Sequence, residues 1–466
     1  MASNSYDLVI LGGGTGGYSA ALRGANLGLS VALVEKGKVG GTCLHRGCIP
    51  TKALLHAAEL VDGVHEAAER WGVKAVVESI DYSATVANRE DIVTKNYKGL
   101  MGHLKKEKVE ILQAEGKVTG PKTVTVEGVG EVTAERALVL ASGSVPKSIP
   151  GLEIDGRRVI TSDDALRLDY LPKSVIVLGA GAVGVEFASF YRSMGAEVTV
   201  VEMLPGLVPL EDTDAQRELG RAFRKRGIEV MVDTRFEDAK VSDEQVDVTV
   251  SSKGTAKQIT AELLLVATGR GPVSADLGYQ QIGVQLDRGY VVPKNWDTLE
   301  THAPGVYAVG DILPPPSLAL AHASFAEGML VAELAAGRPS PAVDYAGVAR
   351  VTYSTPEVAS VGLTEVQAKE QGYDVVTNKF PFNGVAKGMI HGQGGMVKLV
   401  AAKGGPVLGV HLVGARVTEL VAESMLVYNW EALPSEVAQF IHPHPTLSEA
   451  VGEAYLTLGG RPLHQG

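Results

Sequence analysis

Tyr6–Gly17 reads YDLVILGGGTGG, and Ser174–Gly184 reads SVIVLGAGAVG. Each stretch starts as a short apolar run and passes directly into a Gly-x-Gly-x-x-Gly turn. The glycines are Gly12, Gly14 and Gly17 in the first copy and Gly179, Gly181 and Gly184 in the second. An Ala-rich stretch then leads to VALVE, ending on Glu35, and VEFASFYRSMG leads to EVTVVE, ending on Glu202. Glu35 stands as far beyond Gly12 as Glu202 stands beyond Gly179. Strand, glycine turn, helix and acid-tipped strand make a βαβ unit in which the first glycine permits the turn. The second lets backbone approach a pyrophosphate, and the third lets the helix pack closely on the strand. The helix N-terminus faces the phosphates, and the acid accepts from ribose hydroxyls. Two dinucleotide-binding units are therefore predicted, with Glu35 and Glu202 as ribose ligands. A carboxylate at Glu202 repels a 2′-phosphate, and the following MLPGLVPL holds no Lys or Arg to bind one, so NAD is favoured over NADP.

The rest of the chain narrows the class of protein. Its 466 residues carry 43 Lys and Arg against 54 Asp and Glu, a net charge of −11 with His neutral, which argues against a nucleic-acid surface or a polybasic membrane anchor. With 45% hydrophobic residues and 55 Gly, a length of this order suggests about three domains. MASNSYDLVI has neither the basic start nor the apolar stretch of a secretory leader, and no apolar run is long enough for a bilayer, so a cytoplasmic protein is expected. ASGSVP (141–146) and ATGRGP (267–272) look like paired segments closing the two nucleotide units, and GVYAVGDI leads to Asp311 through small residues. RPSPAVDY (338–345) reads as a linker. Beyond it come strand-like runs VTYST, VTNKF and GMVKLV, then helical stretches at 418–429 and 434–440.

Only two cysteines occur, Cys43 and Cys48, within GGTCLHRGCIPTK just after Glu35. A disulfide framework is excluded. A tetrahedral zinc site lacks ligands, since only His45 lies nearby, so a reversible disulfide is the better reading, beside that of two buried thiols. Sulfur gives up electrons through thiolate attack, whereas a nicotinamide takes a hydride, and a flavin is the group that joins the two. That logic assigns FAD to the first unit and NAD to the second.

At these residues the chain resembles the flavin-dependent pyridine nucleotide-disulfide oxidoreductases, over essentially its whole length and most closely in the lipoamide-oxidising branch. The resemblance implies that Cys43 exchanges with the substrate disulfide and that Cys48 forms the thiolate against the flavin. It implies that Lys52 sits near the flavin and pairs with Glu186, that Gly310 and Asp311 meet the ribityl chain, and that Leu320, Ala321 and His322 close over the flavin. Thr42, Gly116, Ser142, Gly143, Gly269 and Arg270 complete the expected cofactor-binding set.

IHPHPTLSEAVGEA carries the second part of the likeness. Its prolines keep His442 and His444 out of a helix. A histidine near neutral pKa can take a thiol proton and return it. The resemblance gives that role to His444, oriented by Glu449, with His442 as a neighbour. Thr446 to Glu449 also fits a helix capping box, and both readings can hold. Departures from the family pattern are His45-Arg46 between the cysteines, where Asn-Val is usual, Ala323 where Lys commonly stands, and Pro443 between the histidines.

The expected fold is α/β: two Rossmann-like domains, for FAD (1–148 and 273–342) and NAD (149–272), plus a C-terminal α+β dimerisation domain (343–466). The expected activity is oxidation of protein-bound dihydrolipoyl groups with NAD. By resemblance the protein is a homodimer in which the partner subunit supplies the base. Its expected partners are lipoyl domains of acyltransferase or glycine-cleavage proteins and the peripheral-subunit-binding domain of a 2-oxo acid dehydrogenase complex. The rival within enzymes is an NADPH-dependent reductase of a small soluble disulfide. A mercuric reductase is disfavoured because the tail LGGRPLHQG has no cysteines, and a non-enzymatic nucleotide-binding subunit is disfavoured by the intact dithiol and base.

Overall fold

The computed structural model describes residues 4–465; Met1–Ser3 and Gly466 lie outside the described residues. The chain divides into two compact units. The first comprises residues 1–53, 84–147 and 270–345, and the second 54–83, 148–269 and 346–466.

In the first unit, the strand Ser5–Leu11, buried from Leu8 onward, sits at the centre of a seven-stranded sheet. It pairs in parallel with Val31–Val34 on one side and Gly130–Leu140 on the other. Glu110–Leu112 and Val306–Ala308 extend the parallel portion, while Thr123–Val126 and Gly116–Gly120 add an antiparallel hairpin. Near-continuous apolar strands are what a parallel sheet covered by helices requires. Helix Thr15–Asn26 crosses helix Ala321–Ala335 closely because a Cβ at Gly328 would fall 2.1 Å from Ser19 Oγ and 2.3 Å from the Gly16 carbonyl.

The second unit repeats the pattern. Ser174–Leu178 is central in a five-stranded parallel sheet between Glu197–Val201 and Leu263–Val266, with Glu229–Met231 and Val159–Thr161 at the edges. A three-stranded antiparallel sheet, 235–261, which the sequence reading did not anticipate, accompanies it. The C-terminal portion is a five-stranded antiparallel sheet in the order 350–352, 357–362, 407–414, 395–402, 375–381, with helices Val417–Asn429 and Ser448–Leu458. The expected helix at 434–440 is shorter, Pro434–Val437, because the chain already turns there toward the proline-bracketed histidines.

Across the C-terminal sheet, Arg350, Ser360, His411, Lys398 and Lys379 fall in direct register on five successive strands. This polar row meets the acidic run at the head of helix Thr213–Lys225. Lys398 is 1% exposed, and its Nζ reaches Asp212 at 2.9 Å, Asp214 at 2.8 Å and Glu365 at 2.7 Å. Arg350 meets Glu211 at 3.1 Å, and Lys379 meets Asp214 at 3.1 Å. Burial alone would raise Asp212 and Asp214, yet the Lys398 ammonium holds both carboxyls below their usual range. Removing one partner of a buried ion cluster leaves the others uncompensated, so Lys398→Met is expected to cost about 3–5 kcal/mol in denaturant unfolding at pH 7. Because the folded carboxyl values are depressed, that stabilisation is present above about pH 4 and is lost as acid titrates the pair through those depressed values. An unfolding midpoint that does not move on this substitution would show the cluster to be energetically idle.

Candidate active site

The two glycine turns have matching geometry. Gly12 takes φ +111°, and a Cβ there would fall 2.2 Å from the Ala141 carbonyl oxygen; Gly179 takes φ +100°, with the Ala267 carbonyl at 2.5 Å. A Cβ at Gly17 would meet the Gly12 carbonyl at 1.9 Å, and one at Gly184 the Gly179 carbonyl at 2.0 Å. These contacts are backbone to backbone and cannot yield. Gly14 and Gly181, by contrast, have open space where their side chains would be. Each is the N-cap of its helix and offers no side-chain cap, so the first-turn N–H groups face outward. Open glycine, uncapped helix end and positive dipole together fit a pyrophosphate.

The two acids are held alike. Glu35 accepts from the Gly13 and Gly37 N–H groups, both at 2.7 Å. Glu202 accepts from Ala180 N at 2.7 Å and Leu204 N at 2.8 Å. A carboxylate offers about four lone-pair sites, so each retains acceptors for two ribose hydroxyls in a fixed orientation.

Around the first turn, Gly41 passes so near Gly14 that a Cβ on it would lie 2.7 Å from the Gly14 Cα. This close approach brings the cysteine segment onto the glycine loop. Cys43 lies in the short helix Gly41–Arg46, and Cys48 opens helix Cys48–Arg70. Residues five apart on one continuous helix do not face each other. Here Gly47, at φ −148° and ψ −109°, breaks the helix, and a Cβ at that position would crowd the Thr42 carbonyl at 3.1 Å. The break brings the sulfurs into mutual hydrogen-bonding contact, both as free thiols.

That contact decides their electrostatics. The hydrogen bond with Cys48, then burial and the charge on Cys48, push the Cys43 thiol far up, while the Lys52 ammonium pulls the other way. Lys52 is one turn beyond Cys48 and shares its face of the helix. In the dithiol state Cys43 therefore keeps its proton. Burial pushes the Tyr18 hydroxyl up to about 12, with the charges of Cys43 and Cys48 adding to the effect, so Tyr18 joins the set near the sulfurs. His45 is turned elsewhere: its Nε2 meets the Val39 carbonyl at 2.9 Å, and its ring lies edge-on to Tyr97.

The closing segments of the first unit form one network. Ser144 Oγ donates to Asp311 Oδ2 at 2.5 Å, and Arg270 Nε donates to Ser144 Oγ at 2.8 Å. Arg270 Nη2 also reaches the Ser144 carbonyl and Thr42 Oγ1. Burial raises the Asp311 carboxyl, opposed by Ser144 and Arg270. Ser142 is bonded to the Val273 carbonyl and to Tyr279, and Gly143 turns at φ +74°. Gly116 is a packing glycine, enclosed by Val34, Leu11 and Val124 side chains. Leu320 is the N-cap of helix Ala321–Ala335, so His322 lies in its first turn. Glu327, fully buried on that helix, accepts from Gly310 N at 2.6 Å and from Ser317 and Tyr345, which fixes the turn carrying Asp311. Sequence reasoning missed Ser144, Tyr279 and Glu327; only Glu327 had a signal, as a lone acid inside the apolar run ASFAEGMLV.

In the second unit Glu186 is 4% exposed and accepts from Tyr353 N at 3.0 Å, while Gly269 turns at φ +116°. His444 Nδ1 meets Glu449 Oε1 at 2.6 Å, and Glu449 Oε2 accepts from Thr446 N at 2.7 Å. Glu449 N in turn donates to Thr446 Oγ1 at 3.3 Å, so the capping box and the His–Glu pair coexist. Although burial would raise Glu449, the Thr446 N–H and His444 hold its carboxyl below the usual range. The His444 side chain is 75% exposed, with Nδ1 fixed on Glu449 and Nε2 left to face outward.

No helix among the described residues is long and apolar enough to cross a membrane. Residues 6–328 match the profile of the pyridine nucleotide-disulphide oxidoreductases, and 348–455 that family's dimerisation domain. A dihydrolipoyl dehydrogenase of Bacillus subtilis is 38% identical over 99% of this chain and 100% of its own. One of Thermus scotoductus is 40% identical over 99% of each. The crystal structure of LpdA from Mycobacterium tuberculosis superposes with a TM-score of 0.88 at 26% identity, covering 97% of this chain and 99% of that one.

Proposed function

This chain belongs to the pyridine nucleotide-disulphide oxidoreductase family, and from that premise we propose that it is an NAD-dependent flavoenzyme oxidising dihydrolipoyl groups to lipoyl disulfides. Its cofactors are FAD and NAD, and its dimerisation domain makes it a homodimer. The observation that carries the reading is the dithiol with Lys52 one turn away, on a segment laid across a glycine turn built for a dinucleotide. When bound, FAD supplies two-electron exchange with a dithiol and hydride exchange with a nicotinamide.

The chain's own residues supply the thiol chemistry. His444, of the partner subunit in the assembled dimer, takes a proton from one substrate thiol. The resulting thiolate attacks Cys43 Sγ and breaks the Cys43–Cys48 bond, and Cys48 leaves as a thiolate facing Lys52. The second substrate thiol then attacks the substrate sulfur of the mixed disulfide and passes its proton to His444, while the first proton moves on to Cys43. Both substrate protons thus end on the enzyme, one on Cys43 and one on His444, with the negative charge on Cys48. This agrees with the strong upward push on the Cys43 thiol, which makes it a poor leaving group unless protonated.

We assign residues 1–148 and 273–342 to FAD, 149–272 to NAD and 343–466 to the dimer interface. Glu35, Thr42, Lys52, Ser142, Gly143, Asp311 and His322 face FAD. The proposed partners are lipoyl domains of acyltransferase or glycine-cleavage proteins and a peripheral-subunit-binding domain, whose basic character suits a chain of net charge −11. Steady-state assay with dihydrolipoamide and NAD, against glutathione disulfide and NADPH, tests the reading; preference for the second pair would overturn it.

Glu202 sets the nicotinamide preference. The unmodified protein is expected to favour NAD over NADP by about a hundredfold or more in kcat/KM, since a 2′-phosphate would sit against an unpaired carboxylate. Glu202→Gln removes the charge but keeps one carbonyl oxygen, so only one of the Ala180 and Leu204 N–H groups retains its acceptor, and the substitution is expected to lower that ratio at least about tenfold. An unchanged ratio would remove Glu202 from cofactor selection.

A further inference from the structure

Of the two histidines in IHPHP, the reaction above uses one. His442 is built into the fold differently. Its side chain is 12% exposed, and its Nε2 is 2.8 Å from Glu423 Oε1 on helix Val417–Asn429. The hydrogen bond to Glu423 raises its pKa, with the Phe440 carbonyl and the Glu449 charge adding in the same direction against burial. The ring lies against helix Ser448–Leu458 at Gly452, where a Cβ would fall 2.5 Å from Nδ1 and 3.0 Å from Cγ and Cε1. Glycine at that position is what gives the imidazole room.

Beyond these ring contacts, the backbone of the segment is held by the Thr446 hydroxyl, which donates to the Pro443 carbonyl at 2.7 Å. No N–H of Ile441–Pro445 makes a backbone–backbone hydrogen bond among the described residues, and two of the five residues are prolines. The preceding side chains, Phe440 and Ile441, are 68% and 97% exposed. His444 is therefore held through its own ring by Glu449, through the Thr446 hydroxyl on the Pro443 carbonyl, and on the far side through the His442 ring.

We infer that His442, gripped by Glu423 and seated on Gly452, is a positioning residue that fixes the backbone from which the base His444 projects. This rests on the reading of His444 as the base. His442 is no second base, because its Nε2 is occupied by Glu423 and its ring is buried. Errors of about 1 Å in the placement of a reacting group cost on the order of a hundredfold in rate.

The test uses FAD-loaded, dimeric protein carrying His442→Ala, Glu423→Ala, Glu423→Gln or Gly452→Ala. Two reactions are followed: dihydrolipoamide oxidation with NAD, and NADH oxidation by ferricyanide, which needs no thiol proton transfer. The expected result for His442→Ala, Glu423→Ala and Gly452→Ala is a ten- to hundredfold fall in kcat for dihydrolipoamide, with KM for NAD and the ferricyanide rate unchanged. Glu423→Gln, which keeps an acceptor for Nε2, is expected to restore kcat to within about threefold of the unmodified protein. An unaltered dihydrolipoamide kcat in both alanine variants at 423 and 442 would overturn the inference. So would an equal fall in both reactions, the mark of general structural damage. If His442→Ala does not fold, Glu423→Ala and Gly452→Ala decide the matter from opposite sides of the ring. Absence of dihydrolipoamide turnover in the unmodified protein would instead defeat the proposed activity, an outcome distinguishable from either.

Discussion

Cys43→Ser protein is expected to lose dihydrolipoamide oxidation by about a thousandfold or more while keeping its FAD and its fold. The loss follows from the covalent route: without Sγ at position 43 there is no disulfide for the substrate thiolate to open, and a serine hydroxyl cannot accept electrons. The fold is retained because Cys43 lies in a six-residue helix ending at Gly47, and oxygen in place of sulfur removes little packing. The remaining Cys48 would face a hydroxyl able to hydrogen-bond in place of the Cys43 thiol, and would keep Lys52 one turn away. NADH oxidation by ferricyanide is expected to persist, which separates lost sulfur chemistry from lost flavin. Substantial lipoamide turnover in this variant would exclude the thiol exchange mechanism.

The second large effect is at the base. His444→Gln is expected to lower kcat with dihydrolipoamide by roughly 10²- to 10⁴-fold, the usual span for a positioned acid–base group. Two features make the loss severe. The Cys43 thiol holds its proton strongly, so the mixed disulfide cannot release that sulfur without a proton delivered to it. The His444 ring is fixed by Glu449 at 2.6 Å, so its placement is already set before substrate arrives. Without the imidazole, only thiolate formed in bulk water can attack. The variant's rate is then expected to climb about tenfold per pH unit toward a thiol pKa of about 8.5, whereas the unmodified rate levels off at lower pH. Equal pH dependence in the two proteins would show that His444 is not the group that moves the proton.

Much of this was legible in the amino-acid order because the signals are local. A glycine turn between an apolar strand and an Ala-rich helix has few alternative conformations, and the same spacing recurs at Gly12 and Gly179. A reversible disulfide at Cys43 and Cys48 was legible because, with only His45 nearby, a tetrahedral metal site lacks ligands. The Thr446–Glu449 pair could be read two ways, and the structure shows why both apply: one carboxylate oxygen serves His444 and the other the Thr446 N–H.

Other features join residues far apart in the chain, where spacing carries no signal. Glu327 stands out in sequence as a lone acid in an apolar run, but only its hydrogen bonds, back to Gly310 and forward to Tyr345, reveal that it braces the turn of Asp311. The row from Arg350 to Lys379 is scattered over five strands and becomes a row only through sheet register. His442 read as a mere neighbour of the base, since nothing in IHPHP announces Glu423 on one helix and the space left by Gly452 on another.

By itself, then, the order of amino acids pointed to the two nucleotide-binding units and the close cysteine pair, since each rests on bonding possibilities within a few consecutive residues, while the roles of the two histidines came from the likeness to a family. Tertiary structure decided which sulfur keeps its proton, which N–H groups the carboxylates beside the glycine turns accept from, and which histidine is exposed while its neighbour is enclosed. Those outcomes depend on burial and on charges brought together from distant strands and helices, and desolvation acts on a side chain only once the chain around it has closed.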